Sequence, residues 1–230
     1  MATIELMCSN SMRGVIDELL PRFQSASGHR VAVRYDPAKL MLKRIMGGET
    51  GDVAIVSSGA TDELVRQGVI ASETRRLARS SVGMAVAAGA VKPDISSVDA
   101  FKAAILAARS VAYTIDGASG MHFAELIERL GIAQAVRAKA KRQPGGLVGE
   151  LVARGEAEVA IQQLSELKAV PGIDIVGPLP QAIQKTTVIA AGVFRNAVHA
   201  EAAHALIDFL ATDAAAETMT AKGLEPARPA

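Results

Sequence analysis

Three apolar runs in this 230-residue chain end in small hydroxyl or glycine residues and then turn into a helical pattern. Ile4-Glu5-Leu6-Met7-Cys8 leads into Ser9-Asn10-Ser11, and Val53-Ala54-Ile55-Val56 leads into Ser57-Ser58-Gly59. Val111-Ala112-Tyr113 leads into Thr114-Ile115-Asp116-Gly117-Ala118-Ser119-Gly120. The carboxyl ends of strands are where open α/β sheets bind ligands. A helix starting there presents unpaired N–H groups and a partial positive charge, which suits an anion. Each such terminus contributes roughly 0.3–1 kcal/mol at an exposed site, so several together can hold a small anion with little help from charged side chains. Ser9, Ser11, Ser57 and Ser58 supply hydroxyls. Ser119 and Gly120 make the strongest case, because flanking glycines allow the backbone a close approach. Ser9-Asn10-Ser11 also reads as an ordinary helix N-cap, and a cap and a ligand site do not exclude each other.

Other reactive residue types give weaker signals. His122 falls in the first turn of its helix; it reads as a surface or satisfied core histidine, or as a ligand donor or proton shuttle if it faces the ligand. Cys8 reads as a small buried hydrophobe, with no local base to make it a nucleophile. Arg13 either reaches an anion or is solvated. Of Gln162 and Gln163, at a strand end, alternation turns one inward. There is no Gly-x-Ser-x-Gly elbow, phosphate-cradling Gly-x4-Gly-Lys loop or His-Glu-x-x-His helix. The four histidines show no metal-ligand spacing, and no metal or cofactor is expected.

Alternating strand-like and helix-like segments position these residues, the pattern of an α/β sheet. Strands are expected over 4–8, 29–35, 53–56, 80–88, 111–114, 157–162, 173–177 and 187–193. Val15, Ile16, Leu19, Leu20 and Phe23 recur at helical spacing until Gly28. Further helices are expected over 40–46, 62–67, 97–108, 119–130, 147–153, 200–210 and 214–221, and the tail 225–230 reads as frayed. Residues 1–70 and 110–177 repeat one order of strand, small loop and helix, which predicts two lobes: 1–80 with 192–230, and 81–191. The chain crosses between them near 80–86 and 187–193, and the small-residue loops of both lobes line a cleft.

Half the residues are apolar, enough for a substantial core, and only 3% are aromatic, with no tryptophan. That argues against stacking platforms for bases or large sugars. Lys and Arg number 25 against 24 Asp and Glu, interspersed, so nucleic-acid binding is not expected. One cysteine excludes an internal disulfide and a cysteine-cluster metal site. No apolar run approaches the roughly 18 residues that span a bilayer, so the chain is not expected to be membrane-embedded. Met1-Ala2-Thr3 runs straight into the first strand without a signal-peptide pattern. As written this predicts a cytoplasmic protein, or a periplasmic one from which a signal peptide has been removed.

Ser9-Asn10-Ser11, Gly51-Asp52-Val53-Ala54-Ile55 and Asp116-Gly117-Ala118-Ser119-Gly120 together resemble the type II periplasmic-binding-protein fold, closest to its molybdate-binding (ModA-like) branch. The segments 89–95, 149–158 and 188–210 extend the resemblance over nearly the whole chain. It implies a two-lobe α/β fold with a ligand cleft between the lobes, and a monomeric solute-binding protein that closes on a small anion, with an ABC permease as partner if it serves transport. The implied ligand-binding residues are Ser9, Asn10, Ser11, Ser57 and Ser58 from the first lobe and Asp116, Ser119 and Gly120 from the second. The turn bearing Gln162, Gln163 and Ser165 forms a further wall. Asp36-Pro37-Ala38 and Asp116 depart from a bare oxyanion pocket, because carboxylates repel a dianion. A small di- or tricarboxylate therefore fits beside an oxyanion. The group also resembles aconitate isomerase, which implies an alternative: proton-transfer isomerisation of an unsaturated polycarboxylate, with Asp116, His122 or Asp36 as base.

Overall fold

Side-chain alternation explains how each strand of this protein is covered. A computed structural model describes residues 1–227, which divide into two units: Met1–Ser80 with the chain from Thr187 onward, and Ser81–Thr186. The first unit opens with β1 (Thr3–Ser9), α1 (Arg13–Ser27), β2 (Arg30–Asp36), α2 (Ala38–Met46), β3 (Val53–Ser57) and α3 (Ser58–Arg66). Strand β4 (Ile70–Ala87) begins in the first unit and ends in the second. The second unit continues with α4 (Val98–Ala107), β5 (Val111–Thr114), α5 (Ala118–Arg129), α6 (Ala133–Arg137) and β6 (Ala140–Gln143). It closes with α7 (Gly149–Ala153), β7 (Val159–Gln163), α8 (Leu164–Lys168) and β8 (Ile173–Pro178). The chain then returns to the first unit through β9 (Thr186–Phe194), α9 (Ala200–Leu210), α10 (Asp213–Ala221) and β10 (Glu225–Pro226).

In the first unit β1 lies between β2 and β3, parallel to both, and β9 runs antiparallel beside β3. Ile4, Leu6 and Cys8 of β1 and Val53 and Ile55 of β3 pack on one face with Val15, Ile16, Leu19 and Phe23 of α1 and Leu206 of α9. Met7, Ala54 and Val56 point to the opposite face, against Met41 and Ile45 of α2 and Leu64 of α3. Helices on both faces explain why β3 is an unbroken apolar run, as in buried parallel sheets.

The second unit repeats this plan. Strand β5 lies between β6 and β7, parallel to both, and the latter half of β4 runs antiparallel to β7. Val111 and Tyr113 face Phe101, Phe123, Leu126 and Val136. Ala112 and Ala160 face Val148, Val152 and Leu167. Gln184 braces β4, accepting from the Val82 N–H and donating to the Val82 carbonyl oxygen.

Several elements differ from the sequence expectation. Strand β4 starts at Ile70, ten residues before the expected strand over 80–88, because Ser72 to Arg76 are exposed and carry no apolar alternation. Helix α6 and strand β6 were not expected; α6 is one turn long and β6 is half exposed and polar. The helix expected over 147–153 starts at Gly149. The tail expected to fray over 225–230 is paired at its start, where Glu225 and Pro226 lie against Arg79 and Ala78 of β4. Residues 228–230 lie outside the described residues.

Candidate functional site

In each unit the chain leaves the central strand to one side and comes back on the other. The spatial order is β2-β1-β3 in the first unit and β6-β5-β7 in the second. Helices α1 and α2 cover opposite faces of the first sheet, and α5 and α7 opposite faces of the second. The loops beyond β1 and β3, and those beyond β5 and β7, therefore diverge and leave a crevice at each switch point. All three Ser/Gly segments fall at these crevices: 9–11, 57–59 and 114–120 begin with the last residues of β1, β3 and β5.

In the first unit the register pairs Cys8 with Ile55, so the two serine-bearing strand ends are neighbours. Ser9 Oγ lies 3.1 Å from Ser11 Oγ. Ser9 opens the short 3₁₀ turn Asn10–Met12 but makes no side-chain cap bond, and neither does Met12 at the start of α1. The N-cap reading thus fails at Ser9. Ser57 does cap α3: its Oγ accepts from the Ala60 N–H at 3.4 Å. Ser58 is half buried in the first turn of α3.

Asp36 ends β2 opposite Ser9 in the register. Its carboxylate pairs with Arg44 of α2, which also contacts Glu49 at 3.0 Å. The charge that would repel an anion is therefore compensated locally. Arg13 is likewise engaged. It contacts Asp17 at 3.6 Å and lies 5.1 Å from the centre of the Tyr35 ring, whose hydroxyl donates to Asp17 at 2.7 Å. Cys8 is fully buried, its thiol donating to the Ser9 carbonyl at 3.4 Å. Burial pushes this thiol far above its usual range, so it is a packed hydrophobe and not a nucleophile.

The second unit holds the sharper feature. Ser119 is 1% exposed and Thr114 is 2% exposed. Their hydroxyls have no hydrogen-bond partner among the described residues. Buried hydroxyls are normally satisfied, and an unsatisfied one costs about 1–3 kcal/mol. Ser119 sits in the first turn of α5, a 12-residue helix that no side chain caps. Glycine is required beside it, because a Cβ on Gly120 would stand 1.8 Å from the Thr114 carbonyl oxygen. Asp116 is half buried, with its N–H donating to the Pro144 carbonyl at 3.0 Å. His122 Nε2 donates to the Ile183 carbonyl at 2.9 Å. A carbonyl only accepts, so the neutral ring carries its proton on Nε2 and offers Nδ1 as its acceptor.

Both glutamines at the end of β7 are buried, where alternation predicted one. Gln162 accepts from the Val148 N–H at 2.9 Å and donates to the Gly146 carbonyl at 2.7 Å, fixing the 146–148 loop. Gln163 ends the strand at the crevice as the N-cap position of α8.

Two buried acidic residues, one in α8 and one just before β3, escaped the sequence reading of roles. Glu166 of α8 is buried, bonded by the Gln163 N–H and the Gln162 side chain, and burial raises its carboxyl to about 8. Its spacing is that of a capping box, in which a glutamate at the third helical position reaches back to the N-cap N–H. Asp52 is 2% exposed. One carboxylate oxygen accepts from the Glu5 N–H and the other from the His199 N–H, each at 2.9 Å. It thereby ties β1 and β3 to the start of α9. Among the described residues, no His/Cys/Asp/Glu group is arranged to hold a metal ion.

The chain matches the model of the bacterial extracellular solute-binding protein family over residues 4–225. It is 39% identical to an aconitate isomerase from Pseudomonas sp. over 231 residues, covering 97% of this chain and 88% of that protein. The periplasmic molybdate-binding protein of Azotobacter vinelandii superposes with a TM-score of 0.81 at 16% identity, covering 99% of this chain and 100% of that one. The sulfate-binding protein SubI of Mycobacterium tuberculosis H37Rv superposes with a TM-score of 0.78 at 19% identity, covering 100% of this chain and 88% of that one. These structures share the type II periplasmic-binding-protein fold with this protein. With a family match that runs from the first strand to the last, and that fold beneath it, the chain belongs to the bacterial extracellular solute-binding protein family.

Proposed function

We propose that the protein binds a small organic polyanion, a di- or tricarboxylate, at its switch-point crevices. The observation that carries this reading is the pair of buried, unpartnered hydroxyls of Thr114 and Ser119 at the uncapped N-terminus of α5. A bound carboxylate would accept from Ser119 Oγ and from first-turn N–H groups, satisfying donors that the fold leaves without partners. Ser9, Ser11, Ser57 and Ser58 offer further hydroxyls in the first unit, with Asn10, Asp116, Gly120 and Gln163 completing the contacts. An organic ligand is favoured over a bare oxyanion by exposed apolar side chains on the same loop and helix turn: Ile115 is 47% exposed and Met121 36%. A permease partner follows if the bound solute is transported.

Titration calorimetry with trans-aconitate, cis-aconitate, citrate, molybdate and sulfate tests this. Saturable binding of a polycarboxylate is expected; binding of the inorganic oxyanions alone, or of none, contradicts it.

A second reading is favoured by the 39%-identical aconitate isomerase. On this reading the bound polycarboxylate also turns over. A base, Asp116 or Nδ1 of His122, takes a proton from the saturated carbon beside the double bond. The proton then returns at the former vinylic carbon, and the double bond shifts. Proton NMR of cis-aconitate with the protein in heavy water separates the two readings. Deuterium incorporation with formation of the trans isomer supports turnover, whereas binding without exchange supports a solute-binding role alone.

A further inference from the structure

We infer that the first unit carries a second ligand site, separate from the strand-end crevices, for an amphipathic organic anion: an acidic head on an apolar body. This rests on observations independent of the proposed function. A cavity of about 700 Å³ opens along the first half of β4, a volume typical of small-molecule sites. Its rim carries Arg75, Arg76 and Arg79, all exposed. Elsewhere in the same unit Arg34, Arg44 and Arg66 lie against carboxylates. Among the described residues, no carboxylate pairs with the three rim arginines. Glu225 is the one acidic residue of the lining, and its backbone lies opposite Arg79 in the β4–β10 pairing. Glu73 stands on the same strand but does not line the cavity.

Three uncompensated guanidinium groups beside one carboxylate select an anion, and Arg binds planar carboxylate, sulfonate or phosphate heads through two parallel hydrogen bonds. The floor selects for carbon. Val188, Ala211, Ala216 and Pro226, each half buried, supply its apolar lining. A bare inorganic ion would leave these walls unused, while an apolar tail on them gains about 25 cal/mol for each Å² removed from water. The lining comes from the start of β4, the start of β9, the α9–α10 corner and β10, and includes none of residues 9–11, 57–58 or 114–120. The exposed polar run of β4, which gives no strand signal in the sequence, is the wall of this site.

Fluorescence titration with 8-anilinonaphthalene-1-sulfonate, a sulfonate on an aromatic body, tests the inference. Saturable one-to-one enhancement is expected. Octanoate should displace the dye, and equimolar sulfate should not. The double substitution Arg75→Gln/Arg79→Gln is expected to weaken the dye about tenfold or more. Ala216→Phe, which fills the cavity and leaves every charge in place, should do the same. Ser119→Ala should leave dye affinity unchanged, so this outcome is read separately from carboxylate binding in the crevices. Unsaturable enhancement, wild-type dye affinity in both cavity variants, or displacement by sulfate as effective as by octanoate would overturn the inference.

Discussion

Replacing Glu166 with glutamine should stabilise the protein at neutral and alkaline pH and leave it nearly unchanged at pH 4 to 5. Burial lifts the Glu166 carboxyl from an ordinary value of 4.5 to about 8, against the opposing effect of hydrogen bonds from the Gln163 N–H and the Gln162 side chain. A folded-state value above the unfolded one means the native state holds its proton longer. The associated stability is fully present below about pH 4.5 and is lost as pH rises toward 8. At pH 7 the gap between unfolded value and pH is about 2.5 units. At 1.36 kcal/mol per unit this is a loss of about 3 kcal/mol, approaching about 5 kcal/mol by pH 9. Glutamine is neutral throughout, and its side-chain oxygen can still accept from the Gln163 N–H, so the variant escapes this loss. The exposed carboxyls of Glu18 and Glu156 are lowered by ion pairing and titrate identically in both proteins, cancelling in the comparison. Urea unfolding at pH 5, 7 and 9 measures the difference. Parallel pH profiles for wild type and Glu166→Gln would refute the reasoning.

Three further perturbations probe the frame around the crevices. Gly120→Ala places a Cβ where the Thr114 carbonyl oxygen lies 1.8 Å away; a loss of about 1–3 kcal/mol in unfolding free energy is expected, and a wild-type melting temperature would contradict the close packing of α5 on β5. Asp52→Ala strands the Glu5 and His199 N–H groups, at roughly 1–3 kcal/mol each, read by urea unfolding; a loss under about 1 kcal/mol would show that the bracket is dispensable. Cys8, buried with its thiol held protonated, should react with a thiol-specific disulfide reagent only as the protein unfolds; rapid labelling of the native protein would contradict its packing.

The fold was legible where periodicity and punctuation agree. The apolar run 53–56 reads as a strand because helices cover both of its faces, and Gly28, with φ of 72°, ends α1 as the sequence suggests. The first half of β4 was not legible, because its exposed arginines hide the strand period. Of the site, Ser9 and Ser57 are identifiable as strand-end residues and Ser119 as the start of the helix after β5, yet nothing local distinguishes their states. Ser57 accepts a cap bond from the Ala60 N–H, and Ser119 has no partner among the described residues. The pairing of Asp36 with Arg44 depends on how α2 packs beside β2, and the desolvation of Glu166 depends on tertiary burial. Neither has a signature in residue order.

The central claim is that the unpartnered hydroxyls of Thr114 and Ser119 await an anion. Titration calorimetry of wild type, Ser119→Ala and Thr114→Val with the polycarboxylate panel, paired with urea unfolding of the unliganded proteins, tests it most directly. Both substitutions remove a buried hydroxyl that has no partner in the free protein, so stability should hold or rise. Loss of a hydrogen bond to a charged ligand costs about 1.5–3 kcal/mol, so Ser119→Ala should bind about tenfold or more weakly. Wild-type affinity in both variants, or a loss of stability in place of a loss of binding, would contradict the account.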